Sequence, residues 1–302
     1  MQKRPDATAF GPCRSRKPDA VLVTVRPLRR EELAFCFELA ASEGWNSGVY
    51  DAAPFFAADP NGFFVAEDGD GTKLGCISAV RYETFGFIGL FIVRPEFRGQ
   101  GVGSALFDEA LRHLDGLPIG LDSVPEHEER YARAGFARTY STARYRGDEQ
   151  PMRERYPSAV ALARLRVLDD DVVVYDRACF GSARPGFLQA WVAQPDVVAL
   201  LARSLRDGEI IGYGVGREAR EGTKLGPIFA SRIDVATLLL DTIAGRTRPP
   251  WRLDVPEPNV PALALAESYG MTRGLANVRM WRGAPPAIEM DRIYGVTSFE
   301  LG

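Results

Sequence analysis

In VRPEFRGQGVGSAL, residues 93–106, an arginine is followed by three alternating glycines: Arg98, then Gly99, Gly101 and Gly103. The stretch lies between an apolar run, FGFIGLFIV, and a segment where Val102, Leu106, Ala110 and Leu114 recur every fourth residue. The run has the length of a strand covered on both faces, and the stripe is that of a helix with one buried side. A helix start leaves backbone N–H groups unpaired and carries partial positive charge. Bare glycines there let the amides of Gly99, Gln100, Gly101, Val102, Gly103 and Ser104 close around an anion. Arg98 would add a permanent charge at the mouth. A turn that only needed a positive φ would not use three glycines.

Two familiar phosphate motifs do not fit. The P-loop requires a Lys after its last glycine, and none is present. The dinucleotide turn gains some support from Asp122, which ends the next strand near the expected spacing for a ribose-binding acid. However, the glycines are spaced GxGxG, and RPEFR separates them from the strand. That motif would also normally open its domain, whereas here three strands and a helix come first.

The elements around the turn follow from periodicity. VLVTVRPL alternates as a strand, RREELAFCFELAASEG is an amphipathic helix, and GFFVAED and LGCISAVRYE form a hairpin around DGDGTK. After the glycine turn and its helix come the strand PIGLDS, the short helix HEERYARAG, and FARTYSTARYRG, read as a strand pair. The second half repeats the order: DVVVYDRACF and FLQAWVAQ as helices, VVALLARS and IIGYGVGRE as a hairpin, KLGPIFA as the apolar strand, then RIDVATLLLDTIAG, WRLDVP, VPALALAESYG and the closing strands RGLANVRMWRG. Leu121-Asp122 returns as Leu253-Asp254, and each is soon followed by Val-Pro-Glu. Gly89-Leu90 aligns with Gly226-Pro227. The expectation is therefore two copies of one mixed α/β fold, each a largely antiparallel mixed sheet flanked by helices. The copies span residues 21–148 and 149–302 and join near GDEQPMRERYPS.

Global properties set limits on the partners. The chain has 302 residues, enough for two ordinary cores, and its formal net charge is −3. That balance gives no overall case for nucleic acid, and nothing approaches the roughly 20 unbroken apolar residues of a membrane helix. The four cysteines, Cys13, Cys36, Cys76 and Cys179, lie far apart, as free thiols of a reducing cytoplasm would. With only His113 and His127 present, neither a His-ligated metal nor a Ser-His-Asp hydrolase is expected. Residues 1–20 have charges but no apolar signal core and read as a disordered leader.

The turn resembles the signature of the GNAT superfamily of N-acetyltransferases, Arg/Gln-x-x-Gly-x-Gly/Ala after a strand ending Val-x-Pro. Arg98, Gly101 and Gly103 occupy its defined positions, and the resemblance covers the whole first half. It implies that the signature amides hold the pyrophosphate of acetyl-CoA. The pantetheine arm would then lie along Ile92 and Val93 like an added strand. It also implies that Tyr131, four residues before Gly135, protonates the departing thiolate, a role suited to a phenol with a pKa of about 10. Relatives often carry an Asn early in this helix region and a Glu on the apolar strand. Here VPEHEER has no Asn, and the strand reads Phe87, Ile88, Gly89.

The remaining chemistry is less determined. An alkyl ammonium titrates near pH 10, so the acceptor must lose a proton. Glu83, Asp51 and Asp122 are the available carboxylates, with deprotonation through water as the default. Trp45, Tyr50 and Asp51 in GWNSGVYDAAPFF fall where these proteins build their acceptor wall. In the second half Ser231, Ile233 and Asp234 replace the glycine turn and Ala266 replaces the tyrosine, so this copy is expected to bind no coenzyme. The layout resembles bacterial double-GNAT proteins ending in a tail like RIYGVTSFELG, which suggests docking. The second half would wall the acceptor pocket, with Trp191 and Arg184, or mediate a homodimer. The expected activity is direct transfer of acetyl from acetyl-CoA to a primary amine of a small molecule. The alternative is a non-catalytic acyl-CoA sensor.

Overall fold

The computed structural model describes residues 22–149 and 159–302. The expected leader, Cys13 and most of the junction between the halves lie outside the described residues. The first half runs β1 (Thr24–Pro27), α1 (Leu33–Ser42), α2 (Ala52–Ala58), β2 (Phe63–Glu67), β3 (Lys73–Arg81), β4 (Gly86–Val93), α3 (Val102–His113), β5 (Ile119–Ser123), α4 (Glu128–Arg133) and β6 (Ala137–Gly147). The second half begins β7 (Val160–Arg164), α5 (Asp170–Phe180), α6 (Pro185–Val192), β8 (Val198–Ser204), β9 (Ile210–Glu218) and β10 (Thr223–Ala230). It continues α7 (Ile233–Ala244), β11 (Trp251–Pro256), α8 (Val260–Ser268), β12 (Thr272–Arg282) and β13 (Ile293–Gly295). The stripe Val102, Leu106, Ala110 and Leu114 is fully buried, as its spacing predicts. None of the described helices is long and apolar enough to cross a membrane.

The strands form one mixed sheet in the order β1-β2-β3-β4-β5-β12-β6-β11-β10-β9-β8-β7, with β13 set beside β10. Among the described strands only β4–β5 and β10–β11 run parallel. FARTYSTARYRG and RGLANVRMWRG, read as strand pairs, are each a single long strand. Neither folds back on itself, because each finds its partners in the other half. β12 lies against β5, β6 lies against β11, and the two pair with each other in the centre. The limits at 148 and 149 therefore divide the chain in sequence but not in space, since residues 137–147 complete the second half's sheet.

The repeated Leu-Asp dipeptides hold this exchange in register. Asp122 on β5 faces Arg279 on β12 and accepts from its Nε and Nη2 at 2.7 and 2.9 Å. Asp254 on β11 faces Arg144 on β6 and accepts in the same way at 2.7 and 2.8 Å. Two-point pairing of a planar guanidinium with a carboxylate is directional, so a shift of one residue in either strand would break it.

The halves also share an apolar core, in which Phe55 of α2 stacks on Trp191 of α6 at 6.3 Å between centroids. Beside that contact, Asp51 accepts from Arg217 Nε at 2.8 Å and from the Gly48 amide at 2.8 Å. Both ionic side chains are 1% exposed, and the Arg217 guanidinium lies 4.2 Å from the Trp191 ring. Removing the carboxylate would leave a buried cation uncompensated. Asp51→Ala should therefore destabilise the protein by about 3–5 kcal/mol in chemical denaturation. A loss no larger than that of an exposed pair, about 1 kcal/mol or less, would show that the contact does not tie the halves together.

Candidate functional site

β4 and β5 pair only from Gly86–Ile88 to Ile119–Leu121. Beyond that point β4 carries a bulge: Leu90 has φ +42, and the register with β3 slips between Cys76 and Ser78. The bend turns β4 away from β5 and leaves its edge unpaired from Gly89 onward. The splay opens into a cleft of about 610 Å³. The first half lines it with the end of α1 and Trp45, with Ile88 to Phe91, with Leu121 to Val124, and with His127 and Tyr131. Arg144 and Arg146 of β6 join them, and the second half supplies Arg220, Glu221, Arg252, Leu275, Asn277, Phe299 and Glu300.

The glycine turn stands at the end of β4. Gly99 and Gly101 take φ values of +77 and +89, with open space where side chains would project. Gly101 caps α3, and none of the amides from Gly99 to Ser104 bonds to another described residue. Arg98 does not aim its charge into this opening. Its Nε donates to the Val93 carbonyl at 2.9 Å, and its guanidinium pairs with Glu43 just after α1, fixing the turn to the strand. The nearby cation is Arg130 of α4. Its Nη2 lies 3.4 Å from where a Gly103 Cβ would be, and its guanidinium lies 5.4 Å from the Phe91 ring centroid. Sequence reasoning missed Arg130, because its nearness depends on how α4 packs against α3.

Tyr131 lines the cleft within an aromatic cluster. Its ring lies 5.9 Å from Phe107 and 6.1 Å from Phe136, and Phe107 stacks on Phe91 at 5.9 Å. Burial pushes its phenol above the ordinary value while Arg130 pulls it down, so the hydroxyl keeps its proton at neutral pH.

The other sequence candidates separate clearly. Trp45 lines the cleft. Ile92 is buried and Val93 half-buried at the end of the open edge. Asp51 does not reach the cleft, since Arg217 and Gly48 hold it inside the domain interface. Tyr50 also lies outside the lining, and Glu83 is exposed at the opposite end of β4. Asp122 touches the cleft, but Arg279 takes both its oxygens. His113 sits 3.1 Å from Asp59, away from the opening. Trp191 and Arg184 do not wall the cleft. Trp191 donates to the Gly226 carbonyl at 3.2 Å, and Arg184 is bound by Asp176 and Thr297 within the shared core.

The second half has the same splay in a different state. β10 and β11 pair from Thr223–Leu225 to Trp251–Leu253, and then β13 pairs with β10 at Ile228 and Phe229. The chain's own strand thus occupies the edge that stays open in the first half. At the start of α7, Arg232 is bound to Asp234 and no glycine turn exists. The segment after β13 docks as expected: Thr297, Ser298, Glu300 and Leu301 are all buried.

Known proteins bear on both halves. A family model described as "Acetyltransferase (GNAT) family" matches residues 28–136, and one described as "Acetyltransferase (GNAT) domain" matches residues 172–295. A holothin acyltransferase from Pseudoalteromonas sp. (strain SANK 73390) is 28% identical over 92% of this chain and 94% of its own length. An uncharacterised N-acetyltransferase, YitH, from Bacillus subtilis (strain 168) is 28% identical over 64% of this chain and 68% of its own. Two solved structures share the fold. A candidate acetyltransferase from Pyrococcus horikoshii has a TM-score of 0.79 at 20% identity, covering 93% of this chain and 96% of that one. A tandem GNAT protein from the clavulanic acid biosynthesis pathway has 0.62 at 14%, covering 87% and 99%. The chain belongs to the GNAT acyltransferases, with two such domains in one polypeptide.

Proposed function

We propose that the first half binds acetyl-CoA and transfers its acetyl group directly to a primary amine held in the cleft. The observation that carries this reading is the row of amides from Gly99 to Ser104, unpaired among the described residues and set beside the edge of β4 that opens where it splays from β5. Such a row, at the positive end of α3 and next to Arg130, suits a diphosphate. From there the pantetheine would run along β4 past Val93 and Ile92, with its thioester at the splay near Gly89 and Leu90. Val93 offers one carbonyl fewer than a bare edge, because Arg98 holds it.

Direct transfer needs no enzyme nucleophile. The amine adds to the thioester carbonyl, its nitrogen gives up a proton, the oxyanion collapses, and the C–S bond breaks. Tyr131, protonated and facing the cleft, gives its proton to the thiolate and regains one from solvent. A small acceptor is favoured because the second half covers the cleft with Arg252, Leu275 and Phe299. The aromatic faces of Trp45 and Phe299 suit an amine on a flat or apolar body. A pure acyl-CoA sensor would have no use for a protonated phenol at the splay. Holothin, the acceptor named for one relative, is the natural first compound to test.

Two variants test the assignment. At Gly101, Asp would project into open space, so the fold should persist, but it would strain φ and set a charge against the phosphates. Calorimetry with acetyl-CoA should show binding lost in Gly101→Asp, and retained affinity would remove the turn as the cradle. Tyr131→Phe should keep coenzyme affinity while kcat for thiol release falls by roughly 100-fold. An unchanged kcat would exclude Tyr131 as the proton donor.

A further inference from the structure

Four carboxylates line the cleft: Glu43, Asp122, Glu221 and Glu300. Three are committed elsewhere. Glu43 pairs with Arg98, and Asp122 gives both oxygens to Arg279. Glu221 is held by Arg146 at 2.9 Å and by Arg252. Glu300 differs. Its Oε1 forms an ion pair with the buried Lys224 Nζ at 3.6 Å, beyond hydrogen-bond distance, so among the described residues neither Lys224 Nζ nor the enclosed Glu300 Oε2 has a hydrogen-bond partner. A buried carboxylate oxygen without a donor is costly, and a bound N–H would remove that cost.

Its position is fixed from both sides. A Cβ on Gly89 would come within 2.0 Å of the Glu300 carbonyl, so only glycine there lets this segment lie on β4 beside the splay. Tyr82 Oη donates to the Leu301 carbonyl at 3.0 Å, and the Leu301 amide donates to Ser298 Oγ at 3.2 Å. Gly89, which leaves β4 without a carboxylate, thus admits the main chain of a second-half segment that carries one.

We propose that Glu300 is the catalytic carboxylate that faces the acceptor amine and receives its proton. This rests on the acetyl-transfer reading above. As the amine lone pair forms the C–N bond, the carbonyl π pair moves to oxygen and the nitrogen becomes cationic. Its proton passes to the Glu300 carboxylate. Collapse of the oxyanion restores the carbonyl and expels the thiolate, which takes the Tyr131 proton; Glu300 then returns its proton to solvent. Burial opposes ionisation of Glu300, but Lys224, Arg144 and Arg217 together outweigh it and hold the carboxyl below its ordinary range.

Thiol release from acetyl-CoA is followed with holothin, 2-phenylethylamine and spermidine as acceptors, alongside calorimetry of acetyl-CoA binding. Glu300→Gln keeps the shape of the side chain, and combining it with Lys224→Met removes the cation that would otherwise be stranded. Both variants should bind acetyl-CoA as the wild type does while kcat falls by roughly 100-fold. Glu300→Ala should recover part of its rate when formate is added, which loss of packing alone would not produce. Folded Gln variants that turn over at the wild-type rate, or a slow Ala variant indifferent to formate, would overturn the assignment. A wild-type chain that binds acetyl-CoA but releases thiol with none of these amines would overturn the transfer reading itself, and the role of Glu300 with it.

Discussion

The architecture depends on two carboxylate–guanidinium pairs, Asp122 with Arg279 and Asp254 with Arg144, each joining a strand of one half to the long strand of the other. A buried ion pair is a poor source of stability but a good source of specificity, because a strand out of register would leave charge unpaired inside the protein. Here the pairs decide which strand completes which sheet. The result is a continuous sheet without a hinge between the halves, and the walls of the cleft are held against each other by strand pairing.

The duplicated fold has diverged most plainly at the splay. In both halves a parallel strand pair splays after three residues, and in both a glycine lies where the strand bends, Gly89 or Gly226. The segment from β13 onward deals with the two openings differently. β13 fills the second, Val296 and Thr297 pass over Gly226, and Glu300 reaches Gly89 while the first stays open. One stretch of chain closes one site and furnishes the other.

Much of this was legible in the sequence, and what was not has a common cause. The glycine turn, the buried stripe of α3 and the duplication rest on local spacing, and the described elements follow it closely. The strand exchange could not be read, because alternation in FARTYSTARYRG states that it is a strand and is silent on its neighbour. Asp51 looked available for chemistry because its counter-ion, Arg217, lies far along the chain. Glu300 gave the opposite impression. The tail's apolar residues mark it as a docking segment, and its single carboxylate gains meaning only once the Glu300 main chain is seen to lie on the bare Gly89. A carboxylate's role is set by which cation reaches it, and that is a property of the folded neighbourhood.

The exchanged strands bear on how such a chain arises. Reciprocal contacts, in which the same patch on each half meets the other, are what isologous association of two single-domain chains produces. Fusing such a pair into one polypeptide removes the need for both copies to be alike. One binding edge can be surrendered to the chain itself, and the freed segment can contribute a group that a symmetric assembly would have to place twice.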